Sequence, residues 1–158
     1  MAYMRFVSRR PPVQHKRIGG RPPAQEPIKR IVKRLDDIFS LFIRLRDADN
    51  KGVVRCITCN RATNWKHNTD CGHYVSRAIY STRWDEKNCA GQCKPCNGFK
   101  EGEKEKFGEE INKRYGAGTK EMLKIKKNNK FKLERFTLQF LIAEYQNKVL
   151  RLRDEKGI

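Results

Sequence analysis

Apolar residues recur every three or four positions from Ile28 to about Asp47. Ile28, Val32, Leu35, Phe39 and Phe42 mark one line, and Ile31, Ile38, Leu41 and Leu45 widen it. That period belongs to an α-helix with one face turned to a core. Arg30, Lys33, Arg34, Arg44 and Arg46 fill much of the remainder. A second stripe, Leu138, Leu141, Ile142, Tyr145, Val149 and Leu152, predicts a closing helix over about 133–153. Between them the pattern shortens. Asp49-Asn50-Lys51-Gly52 reads as a turn and Val53-Val54-Arg55-Cys56-Ile57 as a short β-like run. The stretch carrying Trp65, Tyr74, Val75, Ile79, Tyr80 and Trp84 reads as short strands and loops. Pro95 suits a first helical turn, where its missing N–H costs nothing, and the pattern carries that helix from Cys93 to Tyr115. Gly116-Ala117-Gly118 then stops it, ahead of a very basic segment from Lys120 to Lys132.

Composition sharpens this outline. Apolar residues make up 37% and charged residues 34% of 158 positions, so core material is scarce and a structural metal would be a fitting staple. The net charge of +18 points to a polyanionic partner, most simply nucleic acid, rather than to a merely solvated basic surface. Residues 1–27 hold five of the six prolines and a single acid, Glu26, and read as a basic arm unable to bury a core. No run approaches the roughly 20 apolar residues that span a bilayer, and the first residues lack the apolar stretch of a secretory signal. The expectation is therefore a cytoplasmic protein without membrane contact, whose six cysteines meet a reducing environment.

In that setting two Cys-x-x-Cys pairs, Cys56/Cys59 and Cys93/Cys96, read as a closed tetrahedral Zn²⁺ site. Cys71 and Cys89 stand outside any pair and read as free buried thiols. His67 and His73 are spaced as in some Cys₂His₂ fingers, but only seven residues separate Cys59 from His67, against the usual ~12.

The loop between the pairs carries the candidate chemistry. Phosphodiester hydrolysis needs a base for water and a cation to stabilise developing charge. An imidazole suits the first task near neutral pH, and Asp or Asn oxygens suit a hard Mg²⁺ or Mn²⁺ ion. His73, Asn88 and Asn97 occur in that order, with Asn97 directly after the last cysteine of the second pair.

These motifs resemble the HNH (ββα-metal) endonucleases in the His-Asn-Asn form of phage endonuclease VII. The resemblance is closer to the NinG/Rap family of phage recombination proteins. It rests on Phe39 to Ala48, Arg55-Cys56-Ile57-Thr58-Cys59, Asp70-Cys71-Gly72-His73-Tyr74, Thr82-Arg83-Trp84-Asp85-Glu86-Lys87-Asn88, and Gln92-Cys93 with Cys96-Asn97. It implies an α+β, mostly helical fold: a small zinc-bound, treble-clef-like ββα-metal core flanked by N- and C-terminal helices. The domain would span 28–153, after the arm 1–27 and before a tail 154–158. It also implies structure-specific cleavage of branched DNA, including Holliday junctions and D-loops, in phage recombination. His73 would be the general base, Asn97 a ligand of the catalytic ion, Asn88 a brace for the loop that orients the histidine, and the four paired cysteines the zinc ligands.

Asp70 is expected to share the ion with Asn97, although the position next to the histidine, where such an Asp often stands, is Gly72. In a regular strand residues 70 and 73 face opposite sides, so Asp70 would reach the site only if the strand bulges or turns, which Gly72 would allow. Arg77 and Arg83 are candidate phosphate clamps, and Lys104, Lys124, Lys126 and Lys127 candidate backbone contacts. A generic HNH nuclease on duplex DNA would share all these residues. A non-catalytic zinc-dependent DNA-binding protein would need only the four cysteines and the basic surface. Phage recombination proteins are possible further partners. Two symmetric incisions would call for a homodimer, through the 133–153 stripe unless that stripe packs on the first helix of its own chain.

Overall fold

The computed structural model describes residues 25–99 and 103–158. The expected basic arm lies almost wholly outside them. Among the described residues the α-helices and strands run α1 (Ile28–Asp47), β1 (Val53–Arg55), β2 (Ala62–Asn64), β3 (Thr69–His73), α2 (Tyr80–Arg83), β4 (Cys89–Cys93), α3 (Lys104–Tyr115), α4 (Thr119–Lys126) and α5 (Arg135–Lys156). The protein is thus α+β and mostly helical, with two small antiparallel sheets, β1–β2 and β3–β4.

The two long helices form the larger core. Ile31, Leu35, Phe39, Phe42, Ile43 and Leu45 of α1 meet Leu138, Ile142, Tyr145 and Val149 of α5. Phe39 and Tyr145 sit edge to face with centroids 4.9 Å apart. The apolar stripe of α5 is therefore spent inside the chain and is not available as a dimer face. Arg135 donates to the Glu26 carbonyl near the start of α1, and Lys156 to the Leu45 carbonyl near its end (2.7 Å), so the helices run parallel. The ammonium of Lys156 also reaches the Arg46 and Ala48 carbonyls, placing a cation on the negative end of α1. Helix α5 thus runs three residues past the expected boundary, and most of the expected tail is helical.

A turn leads out of α1. The Asp49 carboxylate accepts from the Lys51 and Val53 amides, each at 2.9 Å, and starts β1. Hairpin β1–β2 carries the first cysteine pair at its tip, closed by Cys56 N–H to the Arg61 carbonyl and by Asn60 at φ 56°. Hairpin β3–β4 pairs Thr69 with Cys93 through His73 with Cys89 in an unbroken ladder. The tip of the first hairpin docks on it through Ile57 N–H to the Gly91 carbonyl at 3.0 Å. Gly91 permits this: a Cβ there would lie 2.5 Å from Val54.

Asp47 ties the parts together. Its carboxylate accepts from the Gly91 amide of β4 at 2.7 Å, from Arg46 at 2.9 Å and from Arg114 of α3 at 3.0 Å. Burial opposes its charge, but the two guanidiniums and the amide outweigh that and hold its carboxyl below the usual range. A second, smaller core of Val75, Ala90, Phe107, Ile111 and Leu123 seats α3 and α4.

The helix expected from Cys93 to Tyr115 is not continuous. Cys93 ends β4, a π-helical turn spans Pro95–Phe99, and α3 begins only after Glu103, whose φ of 51° is left-handed. A left-handed residue cannot propagate an α-helix.

Candidate metal centre and cleft

The two hairpins bring both cysteine pairs together. The sulfurs of Cys56, Cys59, Cys93 and Cys96 all lie within 4.8 Å of one another, and Cys59 Sγ is 3.7 Å from Cys93 Sγ. A tetrahedron with Zn–S near 2.3 Å has edges of roughly 3.8 Å, so the set fits Zn²⁺. The electrostatics agree. Burial raises the Cys56 thiol, yet amide groups of Cys93, Cys59 and Thr58 and the Thr58 hydroxyl aim at its sulfur and bring it down to about 6. Cys93, buried and crowded by the other thiols, is pushed up to about 12. Four sulfurs this close need a cation before they can all be thiolates.

Beside this centre lies a cleft of about 500 Å³, bordered by Asp70, Cys71, His73, Arg77, Lys94 and Asn97, among others. Asp70 and Asn97 touch: the Asn97 amide donates to Asp70 Oδ2 at 3.1 Å. The strand neither bulges nor turns at Gly72, which pairs with Ala90 in register. The ladder is regular, and Asp70 reaches Asn97 because the π-helical turn folds back beside β3. Gly72 also shows why no Asp stands there, since a Cβ would lie 2.5 Å from Gln92 Oε1 and 2.9 Å from Phe107.

His73 occupies the other face of β3. Its Nδ1 is 3.2 Å from the Cys71 carbonyl and its Nε2 3.1 Å from the Arg83 carbonyl. Burial lowers its pKa from the ordinary value, with Arg77 and Lys104 adding to the shift against the two carbonyl contacts, so the neutral ring is favoured. Asn88 is fully buried and holds the loop beyond His73. Its Oδ1 accepts from Val75 N–H at 2.7 Å, and its amide donates to the Val75 and Thr82 carbonyls at 3.0 and 2.9 Å. The side chain closes the segment 75–82 as a fixed loop.

The expected cations divide into groups. Arg77 is exposed at the cleft beside His73. Arg83 is engaged: two nitrogens donate to Asp36, at 2.8 and 2.6 Å, and the third to the Arg77 carbonyl. Engaged in this way, it ties α1 to the loop that follows His73. Lys104, Lys124 and Lys127 border a separate depression beyond Tyr74 and Val75. Lys104 donates to the His73 carbonyl, and Lys126 is paired with Asp85. Sequence reasoning missed Lys66 and Lys94, both exposed at the cleft, and Asp36, which orients Arg83 and Trp84. Lys94 was visible inside the second Cys-x-x-Cys. Lys66 and Asp36 come from remote segments with no local signal.

With this geometry in view, the relatives can be placed. The family profile described as bacteriophage lambda NinG protein matches residues 10–155, and the chain belongs to that family. It is 31% identical over 128 residues to the protein ninG of Salmonella phage P22, covering 80% of this chain and 59% of that protein. It is 29% identical over 130 residues to the protein ninG of Escherichia phage lambda, with 80% and 59% covered. The chain therefore spans about three fifths of the length of these relatives. No solved structure matches.

Proposed function

We propose that this protein is a metal-dependent endonuclease of the HNH (ββα-metal) type that cleaves branched DNA in phage recombination. The observation that carries the proposal is the cleft in which His73 and the touching Asp70–Asn97 pair open together, on a hairpin and turn clamped by four cysteines. His73 would accept the proton of the attacking water on a ring nitrogen released from its carbonyl contact. Arg77, Lys66 and Lys94 would hold the scissile phosphate in the cleft. Asp70 and Asn97 would hold a Mg²⁺ or Mn²⁺ ion with waters completing its shell, and that ion supplies stabilisation of charge on the leaving oxygen. Asn88 and Arg83 fix the loop on which His73 depends. The remaining basic surface would contact phosphates, giving affinity without reading bases, as recognition of branch shape requires. The host cytoplasm is the compartment this role implies.

His73→Ala is expected to stay folded and bind DNA but lose cleavage; wild-type cleavage by that variant would remove the general-base assignment. Four-way, flap and linear duplex DNA digested side by side with Mg²⁺ test the substrate. Equal rates on all three would reduce the proposal to a generic nuclease. A second reading, a zinc-stabilised DNA-binding protein without catalysis, draws on the position of both His73 ring nitrogens against carbonyl oxygens. On that reading wild-type protein binds all three DNAs and cuts none.

A further inference from the structure

His73 belongs to a second group of ligand atoms. Cys71 and His73 are alternate residues of β3, and Cys89 is the direct cross-strand partner of His73, so all three side chains project from one face of the hairpin. A ring nitrogen of His73 and the sulfurs of Cys71 and Cys89 all lie within 4.8 Å of one another. Packing alone would explain two thiols against an apolar core. It does not explain the polar ring between them.

The ring's own contacts are the more telling observation. A neutral imidazole has one N–H and one lone pair. Both His73 nitrogens face carbonyl oxygens, so in the neutral ring that burial favours one lone pair points at an oxygen. The Arg83 carbonyl is 3.1 Å from Nε2 and 3.9 Å from Cys89 Sγ. Those separations are close to the edges of a coordination tetrahedron built from bonds of roughly 2.0–2.3 Å. Cys71 and His73 line the cleft, so an ion has a path in from solvent.

We infer that Cys71, His73 and Cys89 form a second, reversible site for a soft divalent ion, Zn²⁺ first among them, distinct from the four-cysteine centre. Two sulfurs and one imidazole are the donors that Zn²⁺ selects over Mg²⁺, and three protein ligands leave a fourth position for the Arg83 carbonyl or water. On binding, the two thiol protons pass to solvent and the pair of thiolates neutralises the ion. The filled site takes the ring nitrogen out of proton transfer. That consequence rests on the nuclease reading, while the site itself does not.

The test counts metal. Full-length protein is equilibrated at buffered free Zn²⁺ from nanomolar to micromolar, desalted, and its bound zinc measured by mass spectrometry. Wild type is expected to rise from one to two ions per chain, while Cys71→Ser/Cys89→Ser stays at one. Cobalt substitution gives an independent readout: the second equivalent should add new sulfur-to-cobalt charge-transfer absorption that the double variant lacks. Cys71→Ser alone, at a half-buried position, serves if the double variant does not fold, and it too should stop at one ion. A wild type that stops at one ion overturns the inference, as does a variant that still takes two. Micromolar Zn²⁺ should then inhibit cleavage by wild type. Two ions bound without inhibition overturns the regulatory consequence alone, and two ions bound to a protein with no nuclease activity leaves the site standing while the nuclease reading fails.

Discussion

The paired helices and the paired hairpins solve the same problem by different means. Helices α1 and α5, of 20 and 22 residues, bury a continuous apolar seam and close it with an aromatic pair. The hairpins have strands of three to five residues, and the paired cysteines Cys56, Cys93 and Cys96 form a buried cluster of their own, apart from both apolar cores. Strands that short do not hold themselves in water. One half is stabilised by area removed from water, the other brings together four sulfurs that could hold a metal ion, and the candidate chemistry sits on the second.

Stripping the metal should separate the halves most sharply. Binding of a structural Zn²⁺ supplies on the order of 10 kcal/mol in small zinc domains. Chelation, or Cys96→Ser, is expected to open 53–99 to protease while most helical circular dichroism survives. Joint loss of both signals would show one cooperative unit. The reverse perturbation is Phe39→Ala, which removes a fully packed ring from the α1–α5 seam and should cost about 3–5 kcal/mol in denaturant titration. Retention of zinc near the midpoint of that transition would sharpen the contrast.

Asp36 joins the halves, reaching from α1 to Arg83 and Trp84. Asp36→Ala leaves both donors without their acceptor, at a cost of about 2 kcal/mol. Burial works against the Asp36 charge, but Arg83 outweighs it and holds the carboxyl below its ordinary 3.8. Its contribution is therefore complete above that value and lost as pH falls through the lower folded-state value. Acid titrations of wild type and variant should stay at constant separation above pH 3.8 and converge as the pH falls below it. The smallest effect is expected at Phe136, 80% exposed on the free side of α5, where Phe136→Ser should change stability by no more than about 0.5 kcal/mol. A larger loss would mean that this face is covered in solution, and sedimentation would identify the cover.

The same contrast explains what could be read in advance. Both long helices announce themselves through periodicity, and α1 matches its expected bounds because side chains spaced along one helix report a single burial direction. The cysteine pairs are equally legible, since Cys-x-x-Cys is a local motif and the structure brings the pairs together. β3 and β4, Thr69–His73 and Cys89–Cys93, have neither alternation nor β-branched enrichment. Their pairing is supported from outside the strands, by the docked tip of β1–β2 and by Asp47, contacts remote in sequence. The break before α3 also escaped, because the residues from Lys104 to Tyr115 favour a helix without showing where it starts. The route of Asp70 to Asn97 escaped for a similar reason: Gly72 suggested backbone freedom, whereas its role is to leave room for Gln92 and Phe107.

Asp47 has a consequence for how such a sequence can change over generations. Its one carboxylate serves the end of α1, the middle of β4 and the far end of α3. Positions 46, 47 and 114 are thus a single unit of inheritance as far as stability is concerned. Loss of the acid takes an acceptor from two guanidiniums and an amide together, although Arg46 keeps the Glu86 and Cys89 carbonyls, and replacement of either arginine alters what the acid is worth to the other. Substitutions here will not add, and drift through this corner of sequence space is open only to changes that arrive together or in a permissive order.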